Sequence, residues 1–183
     1  METIVDNSVQ NIDNTAHDVV QLLAKSAMHC ATVESCTGGL VSAAITAVSG
    51  SSAVFDLGIC TYASSAKNKM VGVPYDILDT VGAVSEECAV AMAKGVCKTA
   101  GAEFGVSTTG IAGPTGGTVD KPVGTVFIGI STPTKSYAAH CVFDIRNCPE
   151  DMDKRTFIRK QAVAKALSML RDAIVQEKGI NNG

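Results

Sequence analysis

The sequence predicts an α/β protein, a three-layer α/β/α sandwich around a mixed β-sheet, built as a single domain. Three observations carry this. Short apolar runs alternate with helical segments through the first two thirds of the chain, as in parallel strands joined by helices. The last two apolar runs, Val123–Ser131 and Ser136–Phe143, are linked by Thr132-Pro133-Thr134-Lys135, a β-hairpin that makes part of the sheet antiparallel. Finally, 183 residues that are 46% hydrophobic, only 4% aromatic and without Trp suffice for one core of Ala, Val, Ile, Leu and Met.

The elements follow in order. Residues 1–14 are polar and read as a disordered leader to a domain spanning residues 15–178. Ala16–Met28 places Val19, Val20, Leu22, Leu23 and Ala27 at helical spacing. A strand at Cys30–Val33 leads through Glu34-Ser35-Cys36-Thr37-Gly38-Gly39 into a helix at Gly39–Ala47, with Thr37 as its N-cap. Ser49-Gly50-Ser51-Ser52 ends that helix, and Ala53–Tyr62 is a strand. Short helices follow at Ser64–Met70 and Pro74–Thr80, the proline tolerated in a first turn. Ser85–Ala100 is the clearest helix, with Glu86 and Glu87 at its start and Lys94 and Lys98 towards its end, as the helix dipole favours. Strand Phe104–Thr108 precedes a second glycine loop. After the hairpin, Asp144–Asp153 is a polar loop and an amphipathic helix runs from about Asp153 to Val175.

Composition excludes several classes. A net charge of −3, without a basic block and with few aromatics to stack on bases, argues against a nucleic-acid surface. No apolar run approaches the roughly 20 residues that span a bilayer. The acidic N-terminus resembles neither a signal nor a transit peptide, so a cytoplasmic protein with no membrane partner is expected. The seven cysteines are odd in number, lack C-x-x-C spacing and mostly sit in apolar runs, as small buried hydrophobes in a reducing compartment do. Metal-ligand spacing is missing as well, and nothing calls for a cofactor.

The glycine loops are the informative part. Thr109-Gly110-Ile111-Ala112-Gly113-Pro114-Thr115-Gly116-Gly117 packs four glycines and a proline into nine residues after a strand. Such a loop lets backbone N–H groups close around an anion. With the smaller loop at Glu34–Gly39, it suggests a pocket for a small, polar, phosphorylated ligand.

Six blocks together resemble the CinA C-terminal domain family, whose enzymatic members are nicotinamide mononucleotide (NMN) deamidases. They are Glu34–Gly39, Gly50–Phe55, Thr61-Tyr62 with Ala66-Lys67, Gly82–Glu86, Thr109–Pro114 and Lys121-Pro122-Val123-Gly124-Thr125-Val126. They occur in family order over residues 15 to 175. The resemblance implies hydrolysis of the NMN amide to nicotinic acid mononucleotide and ammonia, by a metal-independent Ser/Lys mechanism, in a protein that assembles as dimers. The alternative is a non-catalytic nucleotide- or phosphate-binding regulatory protein.

An amide needs an activated nucleophile, a proton shuttle and oxyanion donors. No histidine lies in a glycine loop, which leaves lysine, whose pKa must fall before it serves as a base. By resemblance, Lys67 is that base. Ser52 is the preferred nucleophile, because the family mechanism pairs these positions, and Ser35, before a helix N-terminus, is the alternative. Tyr62 would orient Lys67 or relay its proton, and Thr109 would donate a hydrogen bond to substrate or oxyanion. Glu34 would bind ribose hydroxyls or else cap the following helix. Thr37, Gly38, Gly39, Gly110, Ile111, Ala112 and Gly113 are expected to contact substrate through the two loops. A cysteine mechanism through Cys36 and a distant histidine is a further rival. Family members commonly run from a strand-ending Phe through Gly-Asp-Arg into the last helix. Here Phe143 is followed by a loop some eight residues longer before Arg155 and Arg159. Both arginines keep the helix register and are assigned to the substrate phosphate or a dimer contact, with Arg146 as rival.

Overall fold

The computed structural model describes residues 11–181. Five strands form one sheet in the order β2-β1-β3-β4-β5: β1 (Cys30–Glu34), β2 (Phe55–Cys60), β3 (Phe104–Gly110), β4 (Thr125–Ser131) and β5 (Ser136–Val142). β1 runs parallel to both β2 and β3, while β3, β4 and β5 are antiparallel in turn. The predicted mixed sheet with helices on both faces is what the chain forms.

Helices α1 (Ile12–Ser26), α2 (Leu40–Thr46) and α6 (Lys154–Asn181) pack together on one face. Leu23, Val41, Phe104, Ile128, Leu167 and Leu170 form the core beneath them. Helices α3 (Ser64–Val71), α4 (Tyr75–Thr80) and α5 (Glu86–Ala100) take the other face, over Ala31, Val33, Val73, Met92 and Val96. Each fully buried Val, Leu, Ile, Phe or Met side chain contributes about 1.5–3 kcal/mol relative to exposure, so both faces hold the sheet.

Local chemistry sets the ends of α5. Ser85 Oγ accepts from the Cys88 amide at 3.2 Å, and Gly101 closes the helix in the left-handed region, φ +74°. α1 begins at Ile12, before the expected leader boundary at residue 14. The expectation of a disordered leader otherwise lies outside the described residues. Thr37 does not cap α2. That position belongs to Gly39, at φ +96°, and the capping oxygens come from further back in the chain.

α5 lies unusually close to the sheet, because two strand glycines leave room for its backbone. A methyl group on Gly105 would overlap the Ala93 carbonyl, and one on Gly129 would overlap the Ala89 carbonyl. Ser107 Oγ, between them, donates to the Ala89 carbonyl at 2.6 Å. Gly129→Ala should therefore destabilise the fold by about 2–3 kcal/mol, as overpacking against rigid backbone does. Thermal unfolding would show a midpoint lower by roughly 5–10 °C, and an unchanged midpoint would contradict this packing.

Candidate active site

Strand parity builds the site. Alternate residues of β1 point to opposite faces of the sheet. Thr32 and Glu34 turn towards α2, where Thr32 Oγ1 meets Ser42 Oγ at 2.7 Å. Ser35 continues the ladder by donating its amide to the Thr108 carbonyl at 2.9 Å, and it turns to the opposite face. There it meets Lys67, which α3 carries inward from the far end of β2.

Lys67 is 1% exposed. Its Nζ donates to Thr61 O at 2.6 Å, to Ser35 Oγ at 3.2 Å and to Tyr62 O at 3.3 Å. An ammonium has three protons, and these are its three acceptors. As a neutral amine it keeps two N–H bonds for the carbonyls and turns its lone pair to the Ser35 hydroxyl. Burial holds its pKa below the ordinary 10.5, against the opposing influence of the neighbouring Cys88 and Cys36 thiols.

Ser35, Cys36, Tyr62, Lys67, Thr109, Gly110, Ala112 and Arg155 line a cavity of about 210 Å³, with Ala83 and Val84 as its apolar wall. It opens at the carboxyl ends of the neighbouring parallel strands β1 and β3, where β1 leads into α2 and β3 leaves through the second glycine loop towards β4 on the other side, the usual ligand position in such sheets. Arg155 reaches over the mouth. Its Nη1 donates to Gly113 O at 2.7 Å and its Nη2 to the Tyr62 hydroxyl at 3.3 Å. The Tyr62 side chain is 69% exposed at the rim. Thr109 Oγ1 donates to Ala83 O at 2.7 Å, so its proton is committed to the wall and not to the cavity.

Several expected site residues lie elsewhere. Ser52 is exposed on the 3-10 turn Ser51–Ala53 before β2, whereas Lys67 approaches from the far end of that strand. Six residues of strand, roughly 20 Å, separate those ends. Among the described residues, the serine that touches Lys67 is Ser35.

Glu34 does not face the cavity either. It is fully buried, and its carboxylate accepts from Thr37 Oγ1 (2.6 Å), the amides of Gly39 (2.9 Å), Val41 (3.1 Å) and Ser42 (2.8 Å), and Ser42 Oγ (2.7 Å). It is the cap of α2. Thr37 is buried under it. With its own proton given to Glu34, it accepts from Thr108 Oγ1 at 2.7 Å. Gly38 and Gly39, at φ +62° and +96°, make the turn that brings these amides to the carboxylate. Arg159 sits one helical turn beyond Arg155, and its Nη2 donates to Thr37 O at 2.8 Å beneath the first loop. Thr37, Gly38, Gly39, Ile111, Gly113 and Arg159 thus shape the walls without lining the cavity. Arg146 is exposed and bound to Asp144 in its own loop, at 2.5 Å.

Burial pushes the Cys36 thiol up to about 11, a poor start for a thiolate nucleophile. No histidine lines the cavity: His29 pairs with Asp56 at 2.8 Å, and His140 stacks on Phe127. Sequence reasoning missed Ala83 and Val84 as lining residues and named Cys36 only as a rival nucleophile. It missed Lys121 as well, whose Nζ straps the Val81 and Val84 carbonyls at 3.2 and 2.7 Å. The signal was present, because Gly82–Glu86 and Lys121–Val126 were matching blocks without an assigned task.

Fold and site together define an α/β domain with a buried Ser–Lys pair at the switch point of a parallel sheet segment. The family model for the CinA C-terminal domain matches residues 12–174, and the chain belongs to that family. It is 46% identical over 156 residues to a CinA-like protein of Anaeromyxobacter sp. (strain K), covering 85% of this chain and 36% of that one. It is 44% identical over 157 residues to a CinA-like protein of Kosmotoga olearia, with 86% and 36% covered. The chain spans about a third of the length of these curated relatives. Among solved structures, the competence/damage inducible protein CihA from Agrobacterium tumefaciens superposes with a TM-score of 0.82 at 38% identity, covering 90% of this chain and 95% of that one. A CinA superfamily protein from Escherichia coli gives 0.81 at 29%, with 93% and 94% covered. Among the described residues no helix is long and apolar enough to cross a membrane.

The Glu34 cap is open to a direct test. Glu34→Gln keeps the shape but turns an amide NH₂ towards backbone N–H donors. It should cost about 2–3 kcal/mol, read as a lower denaturation midpoint at neutral pH. An unchanged midpoint would mean that the carboxylate does not hold the loop.

Proposed function

We propose that the chain is an amidohydrolase that cleaves the carboxamide of NMN, with Ser35 as nucleophile and Lys67 as general base. The buried 3.2 Å contact between Lys67 Nζ and Ser35 Oγ carries this reading. Ser/Lys pairs are a recognised variant of the nucleophile–base arrangement.

The chemistry follows from the hydrogen bonds. Neutral Lys67, held by the Thr61 and Tyr62 carbonyls, takes the Ser35 hydroxyl proton as Oγ adds to the carboxamide carbon. When the tetrahedral adduct collapses, the C–N bond breaks and the Lys67 ammonium passes that proton to the departing nitrogen, which leaves as ammonia. Water, deprotonated by the same amine, then opens the Ser35 ester and frees the carboxylate. The apolar Ala83–Val84 wall suits the face of an aromatic ring. Arg155 uses two of its N–H groups on Gly113 and Tyr62, which leaves others for a phosphate at the mouth.

Ammonia release from NMN by the purified chain tests the reading. Ser35→Ala and Lys67→Ala should each lower turnover on the order of 10³-fold or more, while Ser52→Ala stays within a few fold of wild type. Arg155→Ala should raise KM for NMN more than it lowers kcat, and Arg146→Ala should change neither. NMN that binds without releasing ammonia would instead identify a regulatory binding protein. A dead Ser52→Ala beside an active Ser35→Ala would reverse the assignment of the nucleophile.

The depressed Lys67 pKa gives a pH signature. kcat/KM should rise with pH as the amine loses its proton and level off below the ordinary 10.5. Between the folded and unfolded pKa values the unfolded chain binds more protons, so this group's contribution to stability rises with pH. Urea midpoints compared at about pH 8 and about pH 10 should show that rise in the wild type and lose it in Lys67→Met. The same slope in both would place its origin elsewhere.

A further inference from the structure

We infer that Thr109 determines specificity by telling the carboxamide substrate from the carboxylate product, through a hydroxyl locked as an acceptor. The inference rests on the amidohydrolase reading above. A threonine hydroxyl has one proton, and that of Thr109 goes to the Ala83 carbonyl at 2.7 Å. Thr109 is 1% exposed and lines the same cavity as Ser35 and Lys67, so its oxygen keeps lone pairs for a group bound there. The hydroxyl cannot reverse freely, because turning its proton to the cavity would leave a carbonyl of the wall without a donor.

The two basic side chains that line the cavity do not supply that donor. As the neutral amine of that reading, Lys67 keeps its two N–H bonds on the Thr61 and Tyr62 carbonyls and turns its lone pair to Ser35. Arg155 lies at the mouth, on Gly113 and Tyr62. A primary carboxamide brings two N–H donors, and one of them satisfies the Thr109 oxygen. A carboxylate brings lone pairs alone and sets them against the lone pairs of Thr109. The wall therefore accepts the amide, orients its nitrogen as the leaving group, and turns unfavourable once that nitrogen is replaced by oxygen. Product release follows from the same hydrogen bond that favours substrate.

Calorimetric titration of NMN and of nicotinic acid mononucleotide tests this. The parent is the Ser35→Ala full-length chain, which should bind the amide without turning it over. It should bind NMN about 10-fold more tightly than the acid or better, as a site with a committed acceptor does. Thr109→Val, isosteric but without the oxygen, should bring the two affinities to within about 3-fold. Thr109→Ser, which keeps the hydroxyl, should preserve the preference. Equal or tighter binding of the acid by the parent, as attraction to the Lys67 ammonium would give, overturns the inference without recourse to the valine variant. So does an undiminished preference in Thr109→Val, or its complete loss in Thr109→Ser. Failure of the wild type to release ammonia from NMN would strike the amidohydrolase reading itself, whereas ammonia release with an unaltered affinity ratio in Thr109→Val would strike this inference alone.

Discussion

The site depends on a lysine amine buried without a counter-ion. Among the described residues no carboxylate pairs with Lys67, although a fully buried one, Glu34, immediately precedes the serine that it touches. Strand parity keeps them apart. Glu34 turns to the α2 face and spends its oxygens on five donors, while Ser35 turns to the α3 face. Were the two exchanged by one residue of register, the lysine would gain an ion pair and its pKa would rise, which would end its usefulness as a base near neutrality. Two carbonyls and a hydroxyl give the amine a fixed orientation without neutralising a charge.

The rest of the cavity is held by cations placed on backbone carbonyls. Lys121 straps the segment before α5, Arg155 holds the second glycine loop and Arg159 the first. Glycine loops approach a ligand closely because they lack side chains, and for the same reason they cannot pack themselves. The chain answers this from outside. Two of the three cations stand one turn apart on α6, whose apolar face is buried against the sheet through Ile158, Leu167 and Leu170. Loop geometry is thereby referred to the core and not left to the loops.

Much of the fold could be read from the sequence because its signals are local. Apolar runs, the hairpin turn and the Ser85 cap with its acidic first turn each act within a few residues. The capping of α2 could not be read in that way. Thr37 has the composition of an N-cap, but the carboxylate that serves α2 comes from Glu34, five to eight residues before the amides it accepts from. Thr109 was expected to give its proton to a ligand, and only the position of the Ala83 carbonyl reveals that the proton is already taken. Ser52 is a different case. It and Tyr62 flank a single apolar run, so their separation by a strand length is legible in the sequence, and the pairing of Ser52 with Lys67 rests on the resemblance alone.

The segment between β5 and α6 shows why the two arginines of the last helix hold their places despite a long connection. Asp144 accepts from the backbone and side chain of Arg146, which closes that residue into its own turn and keeps it from the cavity. Asp153 Oδ1 then accepts from the Thr156 amide at 2.9 Å and starts α6 at a defined residue. From that start the helical repeat alone sets the interval between Arg155 and Arg159, and each reaches a different glycine loop. Extra length before Asp153 is absorbed on the surface at a small entropic cost, whereas one extra residue within the helix would swing both guanidinium groups by about 100°. Loop length is thus free to vary where helix register is not, and the cavity draws its cation from the helix.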